Sequence, residues 1–155
     1  MSEANLAALV QAHRADLVNF ARRLVQTPSP SGHEVQVAGL IEAEMARLGF
    51  DEVTTDGVGN VIGWVRGGDG PVLMFNGHMD HVDPGASAGW PHPPYGGDVV
   101  GDELWGRGSV DMKGPLAAMI YAAGLTRRYG LPLPGDLVVA CVVMEEVGGV
   151  GTRAL

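Results

Sequence analysis

The sequence predicts an α/β fold with a mixed, mostly parallel sheet flanked by helices. Segments with helical periodicity alternate with short apolar runs typical of strands, and glycine-rich turns separate them. The length of 155 residues fits one domain, and a hydrophobic fraction of 46% is large enough for a core, which excludes a disordered chain. The 24 glycines follow no repeat, which excludes collagen and coiled coils.

The first part of the chain predicts two amphipathic helices. Apolar residues recur at three- and four-residue steps over residues 6–24, and a TPSP segment ends this helix. Ser31 and Glu34 have the spacing of a capping box. They precede a second helix, whose apolar face covers residues 37–48 and which Gly49 ends.

Three strands follow, at residues 52–56, 60–66 and 71–76, with glycine-rich turns between them. The third strand is apolar throughout, which is typical of a strand covered on both faces. A long loop rich in glycine and proline then runs over residues 77–97. A loop of this length without structure of its own is usually functional or disordered.

The remaining elements are a hairpin, a helix and a strand. The hairpin is expected around Gly101-Asp102, and Pro115 suits the first turn of the helix. Residues 137–144 predict the last strand, which runs directly into Glu145-Glu146.

The composition excludes several functional classes. Acidic residues outnumber basic ones 18 to 10, and the net charge of −8 disfavours nucleic acids and anionic membranes as partners. The single cysteine, Cys141, excludes an internal disulfide and a zinc site made of cysteines alone. No apolar stretch approaches the roughly 20 residues of a membrane span. The N-terminal segment carries acids among its apolar residues, unlike a signal peptide, so we expect a cytoplasmic protein.

Chemically useful side chains lie where strands end or a helix begins. His78 and Asp80 follow the third strand, Asp111 precedes the Pro115 helix, and Glu145 and Glu146 follow the last strand. Because ligands of α/β proteins bind beyond the carboxyl ends of strands, we expect these side chains to converge. Taken one at a time, each also has an ordinary interpretation as a loop residue or a helix cap.

Together these residue types suit a metal site with an attached base. Histidine is the commonest metal ligand, and a carboxylate two residues away can orient its ring. A carboxylate can bridge two metal ions, and one member of a glutamate pair can bind metal while the other accepts a proton. Nitrogen and oxygen ligands without thiolate suit zinc, cobalt or manganese.

Three further side chains near these motifs could be structural. His81 is expected to be a polar loop residue. Lys113 and Arg107 either hold carboxylates of the metal shell or balance the acidic charge. The segment Gly85-Ala-Ser-Ala-Gly89 also matches the sequence pattern of the serine-hydrolase nucleophile elbow. The strand and helix that this elbow requires are not predicted around it, so we do not expect a serine hydrolase.

Three segments resemble the N-terminal signatures of the co-catalytic zinc hydrolases. They are residues 76–80 (NGHMD), 104–114 (LWGRGSVDMKG) and 143–147 (VMEEV). This metallopeptidase and amidohydrolase family includes acetylornithine deacetylase, succinyl-diaminopimelate desuccinylase and the glutamate carboxypeptidases. The resemblance extends over nearly the whole chain and implies a zinc-peptidase-like catalytic domain.

The resemblance also implies residue roles around two zinc ions, with cobalt or manganese as alternative metals. His78 would bind one ion, Glu146 would bind the second, and Asp111 would bridge them. Glu145 would be the general base, and Asp80 would orient His78. The peptide bond after Asp111 would be cis.

Members of this family are longer than this chain. They carry an inserted lid and dimerisation domain, and they take a further carboxylate and a further histidine ligand from beyond the glutamate pair. Residues 147–155 contain neither an acid nor a histidine. By this resemblance, residues 1–155 are the N-terminal part of a catalytic domain that is incomplete at its C-terminus. The lid and dimerisation domain is absent from the chain, and the full-length protein could be a homodimer.

The predicted function is therefore metal-dependent hydrolysis of an amide bond in N-acyl amino acids or small peptides. Two alternatives remain open. One is a catalytically silent fragment or pseudo-enzyme domain that binds metal poorly, and this chain alone is expected to be inactive. The other is a zinc aminopeptidase of related fold.

Overall fold

A four-stranded sheet and three long helices make up most of the structure, a computed structural model that describes residues 3–155. Residues 1 and 2, the start of the N-terminal segment considered above, lie outside the described residues. The elements are α1 (Glu3–Gln26), α2 (Val35–Leu48), β1 (Glu52–Thr55), β2 (Val61–Val65), β3 (Gly70–His78), β4 (Asp98–Val100), β5 (Glu103–Trp105), α3 (Gly114–Arg128), β6 (Gly135–Val142) and α4 (Val150–Ala154).

The large sheet is mixed, as predicted, and its strand order is β1-β2-β6-β3. Two pairings, β1 with β2 and β2 with β6, are antiparallel, and the pairing of β3 with β6 is parallel. The sheet therefore contains less parallel pairing than expected. A short turn joins β1 to β2, which produces a hairpin, whereas α3 lies between β3 and β6 and allows their parallel arrangement.

The predicted helices are confirmed, and they build the core. Pro115 lies in the first turn of α3, and Gly49 ends α2 in the left-handed conformation, with φ of 85°. Helices α2 and α3 pack against the sheet, and α1 packs against α3. Their buried faces include Phe20, Leu24, Ile41, Met45, Leu116 and Ile120. Among residues 3–155, no helix combines the length and apolar composition that crossing a bilayer requires.

The expectation that β3 is covered on both faces is wrong for its first part. Val72, Leu73 and Met74 are 55%, 57% and 46% exposed. Within the described residues, β3 is an edge strand that pairs with β6 alone. An apolar run indicates a strand but not its position in the sheet, so the sequence pattern could not separate an edge from a centre.

The predicted capping box is also wrong. Helix α2 begins at Val35, so the N-cap residue is Glu34, and no side chain caps the helix. The Ser31 hydroxyl donates instead to Asp80 Oδ2 at 2.6 Å. Ser31 is one turn too early to cap the helix, and the buried carboxylate of Asp80 requires hydrogen-bond donors.

Lys113 has a different role from the two that were expected. The side chain is fully buried, and its Nζ donates to the carbonyl oxygens of Leu24 at 2.9 Å and Thr27 at 2.7 Å. These carbonyls lie at the C-terminal end of α1, where a cation is favourable. Burial lowers the pKa of Lys113 to about 8. Lys113 therefore anchors the segment before α3 to α1 and not to a carboxylate.

Lys113→Met should destabilise the fold. The substitution leaves two backbone carbonyls without their donor, so we expect the free energy of unfolding to fall by about 2 kcal/mol. Urea denaturation at neutral pH measures this change. Arg128→Met, on the exposed face of α3, is the matched control and should change the free energy by less than about 0.5 kcal/mol. Equal stabilities of the two variants would contradict the anchoring role.

Candidate metal centre

His78 is the last residue of β3, and its buried ring is held at both nitrogens. Nδ1 lies 3.0 Å from the carbonyl oxygen of Asp80, and because a carbonyl only accepts, Nδ1 carries the hydrogen. Nε2 lies 2.9 Å from Asp111 Oδ1. Burial by itself would lower the pKa of His78, but the hydrogen bonds to the Asp111 carboxylate and the Asp80 carbonyl outweigh burial and raise this pKa.

His78, Asp111 and Glu146 converge as the sequence predicted. One ligand atom from each of the three residues lies within 4.8 Å of the others. The parallel register brings His78 and Glu146 together, because His78 is paired with Val142 and the ends of β3 and β6 meet at one edge of the sheet. Asp111 joins them from the segment before α3. One imidazole nitrogen and two carboxylates are a donor set that fits zinc, cobalt or manganese. The residues present therefore fit the expected metal.

Asp111 and Glu145 line the same open cavity beside His78, with a volume of about 360 Å³. The Asp111 side chain is 75% exposed, so it is free to contact a ligand from the solvent side. The peptide bond between Asp111 and Met112 is cis, as the resemblance implied. The cavity thus contains the predicted bridging carboxylate and the predicted base.

The fully buried Asp80 contacts His78 mainly through its main chain, because its carboxylate oxygen Oδ1 lies 3.4 Å from Nδ1. Its two carboxylate oxygens accept hydrogen bonds from the backbone nitrogens of Glu145 at 3.0 Å and Glu146 at 3.2 Å. Asp80 therefore also holds the backbone of the glutamate pair. The sequence motif did not indicate this second contact.

Asn60 is another residue that sequence reasoning missed. Its buried side chain accepts from the Val143 nitrogen at 3.1 Å and donates to the Gly151 carbonyl at 3.0 Å. Asn60 also donates to Asp56 at 2.8 Å. Burial raises the pKa of Asp56, but hydrogen bonds from the backbone and from Asn60 outweigh burial and lower this pKa. These contacts fasten the end of β6 to the β1–β2 hairpin.

His81 and Arg107 lie outside the ligand cluster. His81 lies in the loop after β3, as expected, and it is buried there: the Ser29 backbone nitrogen donates to its Nε2, and its Nδ1 donates to the carbonyl of Val82, both at 2.9 Å. Burial lowers the pKa of His81. The Arg107 guanidinium stacks 5.1 Å above the ring of Trp90 instead of pairing with a carboxylate. These two side chains therefore support the loop.

Known proteins match this chain in sequence. Residues 74–155 match the profile of peptidase family M20/M25/M40. The chain is 40% identical over 145 residues to succinyl-diaminopimelate desuccinylase of Cereibacter sphaeroides, a match that covers 90% of this chain and 38% of the relative. The chain spans about a third of the length of the curated relatives it matches.

Two solved structures share the fold. Human carnosine dipeptidase 1 superimposes with a TM-score of 0.79 at 22% identity, covering 94% of this chain and 35% of that one. YXEP of Bacillus subtilis, described as a dinuclear metal-binding peptidase, superimposes with a TM-score of 0.67 at 19% identity, covering 92% and 38%.

The family match covers the converging side chains. The matched range of residues 74–155 contains His78, Asp111 and Glu146, together with Asp80 and Glu145. It also accounts for more than half of the chain. As the resemblance predicted, the chain belongs to peptidase family M20/M25/M40.

Proposed function

We propose that the protein containing this chain hydrolyses an amide bond in N-acyl amino acids or small peptides. The observation that carries this proposal is the convergence of His78, Asp111 and Glu146 within 4.8 Å, beside a cavity that Glu145 also lines. Removing a succinyl group from an amine and cleaving a dipeptide are both amide hydrolyses, so the similar desuccinylase and dipeptidase support this substrate class.

Three side chains would hold the metal. His78 and Asp111 would bind one ion, and Asp111 and Glu146 would bind a second, since the two oxygens of Asp111 can face different ions. When bound, zinc lowers the pKa of a coordinated water and polarises the carbonyl of the substrate. The carbonyl of Asp80 holds Nδ1 of His78, which leaves Nε2 directed at Asp111 and the cluster.

In this proposal Glu145 moves the proton. It lines the cavity with His78 and Asp111, whereas Glu146 belongs to the ligand cluster. Glu145 accepts a proton from the attacking water as the new carbon–oxygen bond forms. It then delivers a proton to the amine nitrogen as the carbon–nitrogen bond breaks. Asp80 accepts hydrogen bonds from the backbone nitrogens of both glutamates.

Glu145→Gln in the full-length protein should keep the metal and lose turnover. The amide cannot accept the proton of the attacking water, so we expect kcat to fall by at least about 100-fold. Steady-state kinetics and elemental analysis measure the two effects separately. Glu103→Gln, on the exposed hairpin, is the matched control and should keep its kcat. Turnover near that of the wild type in Glu145→Gln would reject Glu145 as the base.

Asp111→Ala should lower the occupancy of both metal ions together, because one side chain bridges them. Elemental analysis of the full-length protein after dialysis against dilute zinc measures the occupancy. Asp102→Ala removes a carboxylate that is 94% exposed on the β4–β5 turn, and it should leave both sites filled. One full and one empty site in Asp111→Ala would indicate an ordinary ligand of a single metal.

A second candidate is a domain that keeps the fold and binds metal weakly. Within the described residues, the ligand cluster contains three side chains, so each of two ions would have two protein ligands, one of them shared. Hydrolytic zinc sites usually hold about three protein ligands plus water. By this count, the 155-residue chain alone would be a poor zinc site.

Zinc titration of the 155-residue chain by calorimetry should therefore show weak binding, and a panel of N-acyl amino acids and dipeptides should show no turnover. Tight binding of two zinc ions with turnover would contradict this expectation and would make the isolated chain an enzyme. In an active form, a strict requirement for a free N-terminal amine would indicate the zinc aminopeptidase instead.

A further inference from the structure

The turn that presents Glu145 and Glu146 is held by a carboxylate outside the three sequence motifs. We infer that Glu34 is a positioning residue for this glutamate pair, acting through the backbone of Met144. The inference rests on the proposed function, because it takes Glu146 as a metal ligand and Glu145 as the base. It adds a residue that binds neither metal nor substrate.

The buried carboxylate of Glu34 accepts hydrogen bonds from two backbone nitrogens. Its side chain is only 4% exposed, although it carries a carboxylate. Oε1 accepts a hydrogen bond from the Met144 nitrogen at 3.0 Å and another from the Gly32 nitrogen at 3.0 Å. The Met144 contact joins the segment before α2 to the turn after β6, which is 110 residues away in the chain.

The backbone at Met144 needs such support. The φ angle of Met144 is 51°, in the left-handed region. Among the described residues, Met144 is the only one other than glycine with a positive φ. Side chains with a Cβ seldom adopt this conformation. After Met144 the chain turns back, and the Gly149 nitrogen donates to the carbonyls of Met144 at 3.1 Å and Glu145 at 3.0 Å. The conformation of Met144 thus sets the direction in which the glutamate pair leaves the strand.

Two buried carboxylates accept the hydrogen bonds of the backbone nitrogens in this turn. Glu34 accepts from the nitrogen of Met144, and Asp80 accepts from the nitrogens of Glu145 and Glu146. Three successive backbone nitrogens are therefore fixed from two separate elements. The loop before α2 joins both carboxylates, because Ser31 donates to Asp80 and Gly32 donates to Glu34. Loss of Glu34 would release the first of the three nitrogens and allow Glu146 to leave the cluster.

The experiment compares Glu34→Ala with Glu34→Gln in the 155-residue chain. Glutamine keeps an oxygen that can accept both hydrogen bonds, whereas alanine does not. Glu42→Ala removes a carboxylate within α2, after Glu34 in the chain, and is the control. Amide hydrogen exchange of residues 144–146 without metal reports the turn, and zinc titration followed by amide resonances reports the affinity, even when it is weak.

In Glu34→Ala we expect exchange at Met144 to be about tenfold faster and zinc binding about tenfold weaker, equivalent to about 1.4 kcal/mol. Exchange in the centre of β6 should not change. Glu34→Gln and Glu42→Ala should stay within about threefold of the wild type in both measurements, which is under about 1 kcal/mol. Rescue by glutamine but not alanine would show that an acceptor at this position, and not charge, orients the turn.

Wild-type exchange at Met144 and wild-type zinc affinity in Glu34→Ala would overturn the inference. If Glu34→Ala does not fold, the wild type decides the question: a Met144 amide that exchanges at the rate of an unstructured peptide overturns it, and a protected one supports it. If the wild-type 155-residue chain binds no zinc, the exchange data alone decide the inference: faster exchange at Met144 in Glu34→Ala supports it, and unchanged exchange overturns it. The proposed function is tested separately, by the metal content and turnover of the full-length protein.

Discussion

The parallel pairing of β3 with β6 is the constraint on which the site depends. His78 ends β3 and is paired with Val142 at the end of β6, so the chain segments that follow both strands begin at the same edge. Because parallel strands place their carboxyl ends together, residues far apart in sequence become neighbours there. A shift of one residue in this register would turn His78 to the opposite face of the sheet and remove it from Asp111 and Glu146.

Buried carboxylates then fix the backbone of the turn that follows β6. Asp80 and Glu34 are almost completely buried, and their known partners are mainly backbone nitrogens of the turn after β6 and of the loop before α2. A buried carboxylate is costly unless it is hydrogen-bonded, so these contacts are held strongly once they form. Asn60 adds a neutral contact at Val143. In the proposed function, the metal ligand and the base on this turn are preorganised by groups that need not touch the metal.

The wrong predictions for Ser31 and Lys113 share a cause. The helices, the β4–β5 hairpin and the position of Pro115 were predictable, because each depends on residues within a few positions of one another. Ser31 and Lys113 have partners on distant segments: Asp80 and the end of α1. No local pattern distinguishes a serine that caps a helix from one that donates to a carboxylate 49 residues away.

The sequence by itself determined the α/β alternation, the residue types at the strand ends and, through three short segments, the family. Its residue types were sufficient because metal chemistry restricts ligands to a few side chains, and those occur beside apolar runs that mark strands. Only the tertiary structure decided that β3 is an edge strand among the described residues, that Asp80 supports the glutamate pair, and that Glu34 reaches Met144. These features depend on which backbone nitrogens come within about 3 Å of a buried carboxylate, and only the packing of distant segments fixes that distance.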